Sequence, residues 1–127
     1  MTEATNTDLP PLCLPPNPYP SQPAYTLPKG STDCHCHVYE DIAKYPLIAE
    51  RSYTPAPATR AQYLDMCEIV GLERTVQVSA SVYGTDNSLT LNVIAELGQH
   101  RARGIAGFHP NASQAELERL HEGGIRG

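Results

Sequence analysis

Two histidines separated by one residue are the clearest chemical feature of the sequence. They occur in the hexapeptide Asp33-Cys34-His35-Cys36-His37-Val38, where a proline-rich segment gives way to ordinary globular sequence. In an extended segment alternate side chains share a face, so His35 and His37 are predicted to point together, with Cys34 and Cys36 turned away. Neighbouring imidazoles can bind a metal ion, polarise a carbonyl or carry a proton. The alternative, a pair of histidines without a chemical role, stays open.

The segments that must position these histidines alternate between short apolar runs and amphipathic stretches. A first strand is predicted to end at the histidines. Two more are predicted over residues 74–79 and 103–108, and residues 125–127 are predicted to begin a fourth. Helices are predicted between them, with N-caps at Thr59, Asp86 and Ser113 (the last in a capping box with Glu116) and stops at Gly71, Gly98 and Gly123-Gly124. Residues 39–57 hold three prolines and are predicted to be a long loop that walls the site.

Repeated strand-then-helix units imply parallel strands joined by right-handed crossovers. Polar residues follow each strand: the two histidines, then Ser81 and Thr85, then His109. Parallel α/β folds place their sites at this edge, and the lack of a glycine-rich phosphate motif after the first strand favours a barrel over a dinucleotide-binding sheet. The predicted fold is α/β, the N-terminal half of a (β/α)8 TIM-type barrel, with about three βα units and the start of a fourth.

Residues 1–29 are predicted to form a separate extended arm ahead of a partial barrel domain at residues 30–127. Eight of the twelve prolines fall in this arm, which excludes helix and interior strand. We expect it to pack over one end of the domain, with Tyr19, Tyr25 and Leu27 as anchors. A ligand for a proline-recognising module is the alternative.

The composition limits the partners and the compartment. A formal charge of −5 without basic runs argues against nucleic acid or an anionic membrane surface as a partner. No apolar stretch is long enough to span a bilayer and no signal peptide is apparent, so we expect a cytoplasmic protein. The four cysteines are irregularly spaced and are predicted to be reduced thiols.

The histidine hexapeptide resembles the D-x-H-x-H-x signature that closes the first strand in the amidohydrolase superfamily. The resemblance continues through Arg51-Ser52-Tyr53, through the loop Gln77-Val78-Ser79-Ala80-Ser81-Val82-Tyr83-Gly84-Thr85-Asp86-Asn87, and through Ala102-Arg103-Gly104-Ile105-Ala106 and Leu120-His121-Glu122-Gly123-Gly124-Ile125-Arg126-Gly127. Within the superfamily the chain is most similar to the N-terminal part of the 2-pyrone-4,6-dicarboxylate lactonase branch. A departure from that pattern is His109, where the branch has Asp before the proline.

The resemblance implies a hydrolase that opens a small carboxylate or dicarboxylate lactone by attack of water during the degradation of aromatic compounds. It implies that His35 and His37 are catalytic and polarise the lactone carbonyl, and that Tyr53, Ser81 and Thr85 donate hydrogen bonds to the substrate. The carboxylate base, a further histidine and the substrate-clamping arginines of that branch belong to later strands than this chain contains. An inactive truncated remnant, or an interaction fragment with no catalysis of its own, is the alternative.

Metal dependence stays open at the level of the sequence. In much of the superfamily the paired histidines bind a divalent ion, whereas the lactonase branch implies no required cofactor; zinc on His35 and His37 is therefore an alternative. Each hydroxyl also has a plain structural interpretation: Tyr53 could pack in the long loop, and Ser81 and Thr85 could simply form the turn.

Overall fold

Parallel strands alternate with helices in the computed structural model of the protein, which describes residues 9–127. The elements in chain order are β1 (Thr32–Cys36), α1 (Arg60–Val70), β2 (Arg74–Val78), a 3₁₀ turn (Ser81–Tyr83), α2 (Ser88–Leu97), β3 (Ala102–Ile105) and α3 (Gln114–Glu122). The strands form one parallel sheet in the order β1-β2-β3. The α/β class and the succession of βα units are confirmed.

A fourth strand begins after α3, as predicted. Ile125 pairs in parallel with Gly104 of β3. The N–H of Gly104 donates to the carbonyl of Gly124 at 3.1 Å, and the N–H of Arg126 donates to the carbonyl of Gly104 at 2.8 Å. These bonds extend the sheet beyond β3 on the side opposite β1.

The ends of α1 and α2 are set by different side-chain contacts. The hydroxyl of Thr59 accepts from the N–H of Gln62 while the Gln62 side chain accepts from the Thr59 N–H, a complete capping box. At α2 the N-cap position is Asn87, one residue later than predicted, but the Asn87 side chain makes no capping bond and the capping side chain is Asp86. The carboxylate of Asp86 accepts from the N–H of Ser88 at 2.9 Å, because the Asn87 side chain is engaged elsewhere.

Strand β3 is shorter than predicted and starts one residue earlier. It covers Ala102–Ile105, and the last bond that joins it to the β2 side runs from the N–H of Ser79 to the carbonyl of Ile105 at 2.9 Å. Beyond it, the backbone N–H and C=O of Gly107 both bond to the side chain of Asn87. The strand therefore ends where a side chain takes over the backbone groups that a neighbouring strand would have paired.

The residues before β1 are held by backbone contacts. The N–H of Cys13 donates to the carbonyl of Thr54 at 2.9 Å, and the N–H of Thr54 donates to the carbonyl of Pro11 at 2.7 Å. Tyr19 and Tyr25, expected as anchors, are 86% and 70% exposed, so that prediction is wrong. Leu27 is only half-buried. Residues 1–8 of the predicted arm lie outside the described residues.

Two apolar clusters join the sheet to the helices. Ile94 of α2, Ala102 of β3, Leu120 of α3 and Ile125 form one; the other includes Val38, Tyr45, Ala80, Val82, Tyr83, Leu89 and Val93 and packs the long loop onto α2. All four cysteines are free, with Cys36 and Cys67 buried. Among residues 9–127, no helix combines the length and apolarity that crossing a membrane requires.

Replacement of Gly104 by alanine is expected to lower the free energy of unfolding by about 1–3 kcal/mol. A Cβ at this position would lie 2.6 Å from a methyl of Ile125 and 2.7 Å from one of Ile94, inside the first cluster. Gly127→Ala is the matched control, because its Cβ would meet only Ile105 at 3.7 Å. Urea denaturation of both variants checks this, and equal stabilities would mean that the cluster accommodates the extra carbon.

Candidate functional site

The two imidazoles of the hexapeptide lie against each other at the carboxyl end of β1. The ring centroids of His35 and His37 are 5.0 Å apart with an interplanar angle of 87°, an edge-to-face contact. Cys36 is turned to the other face, where its sulfur lies 3.1 Å from the hydroxyl of Thr75. Cys34 is exposed. The predicted common face of the two histidines is confirmed.

Strand β1 is irregular where it carries the first histidine. Asp33 pairs with Thr75 and Cys36 pairs with Gln77, so a step of three residues in β1 matches a step of two in β2. Paired residues of parallel strands point to the same side of the sheet, which puts Asp33 and Cys36 on one face. Uniform alternation would have grouped Asp33 with the histidines. The bulge shifts the alternation of side chains by one residue, so that the histidines lie on the face opposite Asp33. This bulge was not predicted from the sequence.

A backbone carbonyl of β2 holds His37. The Nδ1 atom of His37 lies 2.9 Å from the carbonyl oxygen of Val78. Because a carbonyl oxygen only accepts, Nδ1 carries the proton, and the neutral ring keeps its lone pair on Nε2. His37 can therefore accept a proton or bind a cation through Nε2, and it donates from that atom only as an imidazolium.

Two tyrosines extend the site from His37 into the long loop. The ring of Tyr39 lies 6.2 Å from that of His37, and the Tyr39 hydroxyl lies 3.0 Å from the hydroxyl of Tyr53. Burial, and then this hydrogen bond, raise the pKa of Tyr39, and either hydroxyl can be the donor in the pair. Where Tyr39 is the donor, the proton of Tyr53 is left for a ligand. Tyr39 was missed, although it follows His37 by two residues, at the same alternating spacing.

The hydroxyls of Ser81 and Thr85 lie in the loop that follows β2. Both residues are exposed, and neither hydroxyl makes a hydrogen bond within residues 9–127. This loop begins just after Val78, whose carbonyl holds His37. The structure thus places Ser81 and Thr85 at the same sheet edge as the histidines, with no direct bond to them.

Asn87 fixes the loop that carries these hydroxyls. Only 2% of Asn87 is exposed. Its Nδ2 donates to the carbonyls of Thr85 at 3.1 Å and Gly107 at 2.8 Å, and its Oδ1 accepts from the N–H of Gly107 at 3.1 Å. One side chain therefore ties the loop after β2 to the loop after β3. Sequence reasoning treated Asn87 as a turn residue, because its partner is twenty positions away.

A cavity of about 460 Å³ opens beside His37. Its other walls come from prolines of the segment before β1 and from one stripe of α1; the residues are Pro16, Pro18, Pro20, Gln62, Tyr63, Met66 and Ile69. Most of this lining is apolar. The cavity flanks β1, which has a strand partner on one side only within the described sheet.

Comparison with known proteins decides the family. The sequence model of the amidohydrolase family matches residues 32–127, from the first residue of β1 onward. The chain belongs to the amidohydrolase family. The match covers the histidine pair, all three strands and all three helices.

The relatives of this amidohydrolase chain are longer proteins named for lactone hydrolysis. It is 39% identical over 108 residues to a 2-pyrone-4,6-dicarboxylate hydrolase of Comamonas testosteroni, covering 85% of this chain and 35% of the relative. It is 35% identical over 127 residues to a 4-sulfomuconolactone hydrolase of Rhizobium radiobacter, covering 100% of this chain and 42% of the relative. The chain thus spans less than half the length of the curated relatives it matches, and it resembles the N-terminal part of 2-pyrone-4,6-dicarboxylate hydrolase.

A solved structure shares the fold of this part. It is a probable 2-pyrone-4,6-dicarboxylic acid hydrolase from Acinetobacter baumannii with citric acid bound, at a TM-score of 0.69 and 27% identity. The match covers 77% of this chain and 36% of that chain. The three-stranded parallel sheet therefore corresponds to a portion of a larger α/β protein.

The described residues of this amidohydrolase do not form a complete metal site. Within residues 9–127, no three or more side chains of His, Cys, Asp and Glu come together in a way that could hold a metal ion. His35 and His37 supply two nitrogen donors, whereas catalytic zinc typically takes three protein ligands and a water. A divalent ion would need a further ligand from other residues.

We expect the pKa of Tyr39 to fall in Tyr53→Phe, because the neutral Tyr39 hydroxyl loses its acceptor. It should stay above the ordinary tyrosine value, since burial is the larger cause of the shift. Titration of the Tyr39 ring carbon by NMR measures this, and Tyr25→Phe, at an exposed position, is the control. An unchanged pKa would show that Tyr39 is not the donor.

Proposed function

We propose that this chain is the N-terminal part of a hydrolase that opens a small carboxylate or dicarboxylate lactone, such as 2-pyrone-4,6-dicarboxylate, by attack of water. The observation that carries the proposal is the contacting pair His35 and His37 at the carboxyl edge of a parallel sheet, where barrel enzymes hold their sites. The names of the longer relatives support the substrate class. A role in aromatic degradation and a cytoplasmic location stay predictions.

The two histidines have different parts in this proposal. His37, with its Nδ1 proton on the Val78 carbonyl, presents Nε2 to the ligand. Donation from His35, or from the imidazolium of His37, to the lactone carbonyl oxygen stabilises the negative charge that develops when water adds. In this proposal Tyr53 accepts from Tyr39 and donates a hydrogen bond to the substrate, and we assign the same substrate-donor role to Ser81 and Thr85.

The small-carboxylate class has a second source of support. The solved relative from Acinetobacter baumannii carries citric acid, a compact polycarboxylate. In this chain the candidate contacts to such a ligand are neutral hydroxyls and imidazoles. We therefore propose that the cationic groups that bind the substrate carboxylates come from later units of the whole protein, together with the base that activates water.

We propose that residues 30–127 are the first part of a (β/α)8 barrel and that residues 1–29 are an arm lying across its end. The exposed side chains of Ile105 (40%) and Phe108 (47%), on β3 and just after it, support this interpretation, since later strands would cover them. The cavity between α1 and the prolines, beside β1, is where the last βα unit of a closed barrel would pack.

A chain without catalysis of its own is the second candidate. It is favoured by the same exposed apolar side chains, since an open sheet edge and an uncovered inner face invite association with another polypeptide. An inactive remnant and an interaction fragment both fit this description. The experiment below separates either from the hydrolase.

A chimera tests the hydrolase directly. The 108 residues of this chain that align replace the matching 35% of the Comamonas testosteroni relative, and release of the ring-opened product from 2-pyrone-4,6-dicarboxylate is followed. We expect activity in the chimera, a loss of about 10²–10⁴-fold in kcat for His35→Ala and for His37→Ala, and near-unchanged turnover for Cys34→Ser.

The isolated chain is assayed beside the chimera. Hydrolysis by residues 1–127 alone would exclude the remnant. A folded chimera that does not open the lactone, or equal losses in the histidine and Cys34 variants, would contradict the proposed function.

A further inference from the structure

The bulge in β1 is braced by the side chain of Asp33. The N–H of His35 donates to Asp33 Oδ1 at 3.0 Å. A bulge interrupts the ladder between strands and leaves backbone groups in need of other partners. The Asp33 carboxylate therefore holds the residue that carries the first imidazole, from two positions earlier in the strand.

The other oxygen of Asp33 reaches across to α1. The hydroxyl of Tyr63 donates to Asp33 Oδ2 at 3.0 Å. The same Tyr63 oxygen lies 2.7 Å from the hydroxyl of Thr75, which in turn accepts from the side-chain amide of Gln77 at 2.9 Å. Helix α1 and strand β2 are thereby joined to the bulge of β1.

The two ends of this chain of hydrogen bonds have fixed roles. The amide nitrogen of Gln77 only donates, and the carboxylate of Asp33 accepts. The single proton of Tyr63 can go either to Asp33 Oδ2 or to the Thr75 hydroxyl, and when it goes to the carboxylate, Thr75 can donate to Tyr63 in turn. Thr75 and Gln77 are buried, and burial raises the pKa of Tyr63, so the tyrosine stays a donor. Removing the Tyr63 hydroxyl takes a donor from Asp33 and a partner from the buried Thr75 hydroxyl.

We infer that Asp33 and Tyr63 are positioning residues, which hold the backbone of His35 in the β1 bulge and so keep its ring against that of His37. A regular strand would put Asp33 on the same face as both histidines, where it could not reach Tyr63. At the bulge the ladder is interrupted, so the bond to the Asp33 carboxylate is what holds the His35 backbone in place. The catalytic value of this positioning rests on the proposed function. The contact between the two imidazole rings does not rest on the proposed function, and it can be measured without any substrate.

The contact is measured by NMR on the full 127-residue chain. In the unaltered chain we expect a nuclear Overhauser effect between the ring protons of His35 and His37, because their centroids are 5.0 Å apart. In Asp33→Ala and in Tyr63→Phe this signal should be lost or strongly weakened, and the His35 amide should exchange on the order of tenfold faster in Asp33→Ala. Tyr25→Phe, at an exposed tyrosine, should change neither.

A conservative variant separates positioning from general stability. Asp33→Asn keeps one oxygen for the His35 N–H and should retain much of the ring contact that Asp33→Ala loses. Amide signals of α2 and β3 should keep their positions in all variants. The inference is overturned if the ring contact persists in both Asp33→Ala and Tyr63→Phe, or if its loss is accompanied by disordering of α2 and β3, which would make these residues merely structural.

Discussion

The face on which the two histidines lie depends on one irregularity in β1. Asp33 and Cys36 both pair with residues of β2 that point toward α1, although three positions separate them. This change of phase leaves the imidazoles of His35 and His37 together on the other face. Because side chains alternate with a period of two, no regular strand could place Asp33 against Tyr63 and both histidines on the opposite side.

The remainder of the site is attached to this strand by contacts distant in sequence. The Val78 carbonyl of β2 fixes the tautomer of His37, and Tyr39 connects His37 to Tyr53 in the long loop. Asn87 holds the loop after β2 against the loop after β3. The parallel sheet supplies the common edge, and buried polar side chains set the geometry there.

Local signals predicted much of this structure. The Thr59 cap, the Gly71 stop and the alternation of strands with helices are encoded within a few residues, and the structure confirms them. The positions that were mispredicted or missed depend on partners far along the chain: Asn87 bonds to Gly107, and its use there leaves the capping of α2 to Asp86. The tyrosines expected as anchors are exposed because backbone bonds, which carry no side-chain signature, hold the proline-rich segment.

His37, at the end of β1, keeps its Nδ1 proton on the Val78 carbonyl, which leaves the lone pair of the neutral ring on Nε2. Long-range ¹H–¹⁵N correlation spectra of the imidazoles test it most directly, at a pH where the ring is neutral. We expect a protonated Nδ1 and an unprotonated Nε2 for His37. A neutral His37 with its proton on Nε2, or one that exchanges freely between both tautomers, would contradict it.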